Sequence, residues 1–398
     1  MKKIILACFT VAICFSGAYA QKSNKKATKD EGYNFTTVKE NPITPVKNQY
    51  KSGTCWSFSG LALVEAELLR TGKGEYDLAD MFIVRHTYMD KMEKYVRYHG
   101  NINFGGGGAF HDVINMIKKY GIVPEEDYTG LNYGEDNHIH AELDATMDAL
   151  AKAFAKSKKP TSAWKTASNA VLDAYLGVAP ENFTYKGTKY NPVSFAKSLG
   201  LNWDDYVEVT SFTHHPFYTS FIIEVPDNWS FDKVYNVQLD EMIQVMDEAI
   251  NAGYTIGWAS DVSEKGFSWR NGVAIVPDEV KQDLGGSEQE KWEKMNDAEK
   301  AAMLYKFDKP VKEKTITQEL RQQGFDNFET TDDHGMLIYG IAKDQNGNKY
   351  YMVKNSWGTD HKYKGIFYAS EAFVRAKTIS IMINKNSLNS NLKGKLSL

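Results

Sequence analysis

The stretch KNQYKSGTCWSFSGLALVEAELLR, residues 47–70, decides how the rest of the chain is read. Its turn, Ser52-Gly53-Thr54-Cys55-Trp56, opens onto an amphipathic pattern. Leu61, Val64 and Leu68 recur at i, i+3 and i+7, and Thr71 to Gly74 supply a stop. The pattern predicts a helix with Cys55 at or just before its first turn. Unpaired backbone N–H groups and the positive end of the helix dipole lie there, and both favour a thiolate. A lone cysteine is otherwise a small apolar core residue, so its use depends on the other cysteines and on partner groups elsewhere.

The chain has three cysteines, and Cys8 and Cys14 fall inside MKKIILACFTVAICFSGAYA, residues 1–20. Lys2 and Lys3, the apolar run after them and Ala18-Tyr19-Ala20 make the pattern of a secretory signal peptide, and the run is shorter than a bilayer span. Cleavage there predicts an exported chain, periplasmic or secreted, in which Cys55 stands alone. Such a chain has no partner for an internal disulfide and no cysteine set for zinc, although disulfides are permitted outside the cytoplasm. A formal net charge of −4 argues against nonspecific nucleic-acid binding, and 42% hydrophobic residues suit a globular enzyme rather than a disordered chain. No second long apolar run is visible, so no membrane contact is expected once the signal is removed.

Residues 21–40 read as a short flexible leader, and residues 41–386 as the body. The stretch near 141–205, with ELDATMDALAKAFAKSKK, reads as a helical insertion. Strands enter between 206 and 275 together with one helix, LDEMIQVMDEAINAGY. A charged helical insertion follows near 276–325, after which the chain becomes β again. There, two alternating apolar runs flank Asn346-Gly347 in ETTDDHGMLIYGIAKDQNGNKYYMVKNSWG, a strong hairpin signal. His334 and Asn355 therefore arrive at the same end of one hairpin. Simple register places Asn355 nearer Ile338 than His334, so a bulge or strand twist must close the gap.

NQYKSGTCW, then DDHGM, then KNSWG, in that order, resemble the papain-like cysteine peptidases. Ser52-Gly53-Thr54-Cys55-Trp56 departs from that group's C-G-[SA]-C-[WY] signature, with Ser52 where secreted members carry a disulfide cysteine. His334 also follows Cys55 by far more than the roughly 130–150 residues usual there. The chain is more similar to the bleomycin hydrolase and aminopeptidase C branch, whose members carry helical insertions and lack disulfides. GGGGAFHDVINMIKKYGIVPEEDY, FDNFETTDDHGM and RAKTISIMINK carry that likeness across most of residues 41–386.

The resemblance implies an α+β, papain-like two-lobe fold: a helical lobe bearing Cys55, a β-rich lobe bearing His334 and Asn355, and the site in the cleft between them. It implies cofactor-free hydrolysis of peptide bonds through an acyl-thioester at Cys55. His334 would move the proton, Asn355 would orient the imidazole, and Gln49 with the Cys55 N–H would stabilise the oxyanion. Trp357 would cover the Asn–His bond, and Gly106 and Gly107 would lie along the substrate cleft. Peptides are the expected substrates. The same chemistry could serve an endopeptidase or an amidase, and a catalytically silent papain-fold binding protein is the alternative from another class. The branch also implies a homo-hexamer, and a C-terminal arm, residues 387–398, reaching the cleft to select free N-termini.

Gly105 to Gly108 lack a following Gly-Lys-Ser/Thr and do not read as a phosphate loop. His138, His140, His214 and His215 read as solvated loop histidines with no completing metal ligands in the neighbouring sequence, so no metal is expected. Glu125, Glu126 and Asp127 read as a solvated charge cluster.

Overall fold

The helix expected after the SGTC turn spans Cys55–Arg70, and every residue from Trp56 to Leu68 is buried. The structure, a computed structural model, describes residues 32–278 and 287–398. The expected signal peptide at 1–20, the expected leader as far as Glu31 and residues 279–286 of the second expected insertion lie outside the described residues. The all-round burial corrects the amphipathic reading, because the helix is enclosed between other helices and a sheet. Its two buried acids need partners. Glu65 takes the Thr44 hydroxyl at 2.6 Å, the Leu78 N–H at 2.9 Å and the Lys47 ammonium at 3.1 Å, while Glu67 takes Arg70 through two 2.7 Å bonds.

Helices Asp80–Arg97 and Phe110–Tyr120 pack against this central helix, and Ala141–Ala155 and Ala163–Leu176 build outward from them. The expected insertion near 141–205 is thus helical, with a small hairpin, Phe183–Tyr185 and Thr188–Tyr190, added to it. Among the described residues, no helix is long and apolar enough to cross a membrane.

The other lobe is built on a mixed sheet whose middle strand, His334–Lys343, lies antiparallel between Ile256–Ser260 and Lys349–Lys354. Thr36–Glu40 pairs with the middle strand too, so the expected leader does not extend to residue 40. The hairpin loop is longer than a two-residue turn. Asp344 Oδ1 accepts the N–H groups of both Asn346 and Asn348, and Gly347 takes φ +87°. The register slips once more between Ile338 and Gly340. Extending the pairing of Leu337 with Lys354 puts Asn355 beside Met336, and His334, two residues on, shares that face of the strand. The expected bulge is therefore present, and it closes the gap between the two polar residues.

The lobes meet where the start of the middle strand crosses the start of the cysteine helix. Gly335 permits that approach: a Cβ there would lie 2.8 Å from Ser59 Oγ and 3.3 Å from the Trp56 Cα.

Candidate active site

Cys55 is the first residue of its helix, and Thr54 precedes it without a side-chain cap. Hydroxyls tie the turn instead. Ser52 Oγ donates to the Gln49 carbonyl at 2.7 Å and lies 2.6 Å from Thr54 Oγ1. A hydroxyl has one proton to give, so Thr54 is the donor in the second bond. Ser52 thus braces by hydrogen bonding the position where secreted papain-like enzymes use a disulfide.

His334 Nε2 lies 2.7 Å from Asn355 Oδ1. That oxygen also accepts the Ser356 N–H at 2.8 Å, which fixes it as the acceptor end of the amide. Nε2 must then carry a proton, leaving Nδ1 as the basic nitrogen. Trp357 lies against the imidazole at a tilt of 33°, with ring centroids 4.7 Å apart, and is backed edge-on by Trp269 and Phe267. It covers the histidine and does not line the cavity that Cys55 opens into, so its grouping with the substrate-binding residues is corrected.

Cys55 and His334 share one small cavity of about 30 Å³, whose walls include Gly108, His111, Glu208, Asp227 and Asp332. Burial pushes the Cys55 thiol up to about 12; the Gly335 and Trp56 N–H groups favour the thiolate, while Asp332 and Asp227 oppose it. Burial pushes His334 down to about 4 despite its bond to Asn355 and the charge of Asp333. Burial and the two carboxylates thus favour the neutral pair, against the thiolate that the helix start favours.

Gln49 is buried at 6% exposure. Its Oε1 accepts the Ser356 hydroxyl at 2.6 Å and its Nε2 donates to the Ser52 carbonyl at 2.8 Å. An amide nitrogen has two protons, so one remains for an oxyanion beside the Cys55 N–H. Gly106 accepts the Trp56 indole N–H at 3.0 Å, and Gly107 accepts from Lys91. A Cβ on Gly107 would meet Asp227 Oδ2 at 2.1 Å. The glycine loop does run beside the cysteine turn, but Gly108 is the member that lines the cavity. Sequence reading missed Asp227, Asp332, Gly335 and Ser356. Asp332, two residues before the histidine, was the one with a local signal.

His138 and His140 are 8% and 1% exposed, so their solvated reading is wrong: the first packs edge-on against Phe58, and burial pushes both down to about 4. Glu125 turns inward, and burial pushes it up to about 9, with Asp80 adding to the effect. His214, His215 and Glu224 come together, with ligand atoms within 4.8 Å of one another. The Gln322 amide argues against a metal there. Its Oε1 accepts from the Thr213 N–H, so its Nε2 donates to His214 Nδ1 at 3.1 Å. The proton of His214 then sits on Nε2, donated to Glu224 at 3.1 Å, where a metal would need a lone pair.

The expected C-terminal arm is a helix. Ser390–Leu396 buries Leu392 and Leu396 in the apolar cluster that also holds Leu239, Met242 and Ile243, and Lys395 bonds Glu241 at 2.6 Å. Residues 387–398 are held on the β-rich lobe and do not enter the cavity.

The model of the papain family cysteine protease matches residues 31–207, and that of the peptidase C1-like family matches residues 285–397. Aminopeptidase C of Lactococcus lactis subsp. lactis (strain IL1403) is 23% identical over 392 residues, covering 86% of this chain and 81% of that protein. Aminopeptidase G of Lactobacillus delbrueckii subsp. lactis is 23% identical, covering 88% and 83%. The crystal structure of PepW from Lactobacillus rhamnosis HN001 superposes with a TM-score of 0.69 at 19% identity, over 91% of this chain and 84% of that one, which shows a shared fold. With a cysteine at the helix start, a histidine in the same cavity and family models matching both ends of the chain, the protein belongs to the papain-like cysteine peptidases.

Proposed function

We propose that this peptidase is an aminopeptidase that removes residues from free N-termini by acyl transfer to Cys55. The observation that carries the chemistry is the His334 Nε2–Asn355 bond, which reserves Nδ1 as the base in the cavity that Cys55 shares. As the sulfur attacks the peptide carbonyl, the thiol proton passes to Nδ1. The oxyanion forms against Gln49 Nε2 and the Cys55 N–H. The C–N bond then breaks, the imidazolium gives its proton to the leaving amine, and a thioester remains. Water, deprotonated by His334, attacks that thioester and restores the thiol. Burial, which favours the neutral pair, suits this order, because the proton then moves once the carbonyl is in place.

Two observations support end-trimming. The relatives above are named aminopeptidases, and the cavity beyond Cys55 is walled by Ile223, Val225, Asn228 and Ile379, which leaves little room for a continuing chain. An aminoacyl reporter with a free amine, compared with its N-acetylated twin, tests the reading. Strong preference for the free amine is expected, and equal cleavage of both would contradict it.

Export is part of the same proposal, supported by Lys2-Lys3, the apolar run and Ala18-Tyr19-Ala20. N-terminal sequencing should find a chain beginning at Gln21 outside the cytoplasm; Met1 on a cytoplasmic form would contradict it. A homo-hexamer is the assembly the sequence resemblance implies, and a monomer by sedimentation would rule it out.

A further inference from the structure

We propose that Asp332 and Asp227 form the anchor for the substrate's α-ammonium group. The inference rests on the aminopeptidase reading and supplies what that reading lacks, because residues 387–398 pack away from the cavity and bring no carboxylate into it.

A free N-terminus is a cation, and an enzyme that demands one must present negative charge where the amine stops. Asp332 and Asp227 both line the cavity that holds Cys55 and His334. Asp332 has no hydrogen-bond or ion-pair partner among the described residues, and Asp227 accepts only from Asn103, at 3.1 Å. The other charges around them are accounted for. Glu208 is paired with His111 at 3.0 Å, Asp112 Oδ2 takes the Trp229 indole at 2.9 Å, and Asp333 is held by Ser263 and Thr331. The Lys91 ammonium donates to the Gly105 and Gly107 carbonyls, and its charge reaches Asp227 without a hydrogen bond between them. Two carboxylates are therefore left facing the space that the acyl group of a substrate must occupy.

The basic side chain in the cavity wall besides His334 does not serve them. Glu208 at 3.0 Å, Asp232 at 3.9 Å and Asp112 at 4.0 Å surround the His111 imidazole and, against burial, push it up to about 10. Two carboxylates left without partners beside a nucleophile suit a cationic guest rather than an apolar side chain. Gly107 shapes the same corner, since any side chain there would displace the Asp227 carboxylate. The anchor also bears on the nucleophile. Asp332 and Asp227 disfavour the Cys55 thiolate, and an ammonium group bound between them offsets that effect, so the thiol becomes easier to ionise when the right substrate arrives.

The test measures kcat/KM on a leucyl reporter, its N-acetylated twin and an N-acetyl-lysyl reporter, for the wild type, Asp332→Asn, Asp227→Asn and the charge-preserving Asp332→Glu. Iodoacetamide alkylation of Cys55 in each protein reports on the site without substrate. The expectation is that wild type favours the free amine and that each Asn variant loses ten-fold or more of that preference. Asp332→Glu should retain part of it, and Cys55 should alkylate faster in the Asn variants. A wild type that favours the free amine while both Asn variants keep that preference would overturn the anchor and leave the aminopeptidase reading standing. Equal use of the free and acetylated leucyl reporters by the wild type would overturn the aminopeptidase reading itself. A preference for the acetyl-lysyl reporter that Asp332→Asn removes would assign the carboxylates to a side-chain ammonium and overturn the α-amine assignment.

Discussion

At the scale of single residues, the account rests on which proton sits where. The amide of Asn355 is fixed by the Ser356 N–H, and it in turn fixes the tautomer of His334. Replacing Asn355 with alanine should leave a folded, slow enzyme whose rate lies between wild type and Cys55→Ala, because the imidazole survives without its orientation. A rate equal to wild type would remove Asn355 from the mechanism. Gln49→Ala should lower kcat by about a hundred-fold while KM changes little, since the spare Nε2 proton is used only when the oxyanion forms. A change confined to KM would contradict that role. These residues were legible in the sequence because each sits in a short motif with a chemical reason for its residue type. Asp227 was not. It meets the site through the glycine loop, far away along the chain, and nothing near it in sequence marks the encounter.

At the scale of elements, the hairpin shows where sequence reading runs out. Asn346-Gly347 located the turn, but Asp344 captures two backbone N–H groups and lengthens the loop, and a second slip at Tyr339 completes the shift that brings Asn355 to His334. Such offsets depend on side-chain capture and strand packing, which alternation of apolar residues does not encode. The cysteine helix was foreseen, and its complete burial was not, because burial is decided by elements remote in the chain. One consequence is the cluster at its base, where Lys47 serves Glu65 at 3.1 Å, Asp77 at 2.7 Å and Asp80 at 3.1 Å. Lys47→Met should destabilise the protein by about 3–5 kcal/mol in denaturant unfolding, because Glu65 and Asp80 are left buried with their charge uncompensated. A loss under about 1 kcal/mol would show that solvent reaches the cluster.

At the scale of the whole molecule, buried neutral histidines set a pH limit. His138 and His140 are pushed down to about 4 by burial, below the ordinary histidine value of about 6.5. The native state therefore binds fewer protons than the unfolded chain between those values. The stability these groups allow is fully present above about pH 6.5 and is lost as pH falls towards 4. A His140→Phe variant, which keeps an aromatic ring in that site, should move the acid-unfolding midpoint to lower pH; an unchanged midpoint would mean that protonation there does not drive unfolding. The two-lobe architecture was legible from the order of helical and β-rich segments. The fate of the last residues was not: NKNSLNSNLKGKLSL is polar enough to read as an arm, yet Leu392 and Leu396 are spaced four apart and give the helix a buried face, with Leu388 buried just before it.

The central claim is that hydrolysis runs through a covalent acyl group on the Cys55 sulfur. A leucyl ester whose thioester hydrolyses slowly, mixed with enzyme, quenched in acid within one turnover and mapped by peptide mass spectrometry, tests it most directly. The account predicts a leucyl adduct on Cys55 that forms before steady-state product, decays at the turnover rate, and is absent from Cys55→Ala and strongly slowed to form in His334→Ala. Sustained ester hydrolysis with no adduct on Cys55, or with the leucyl group on another residue, would contradict it.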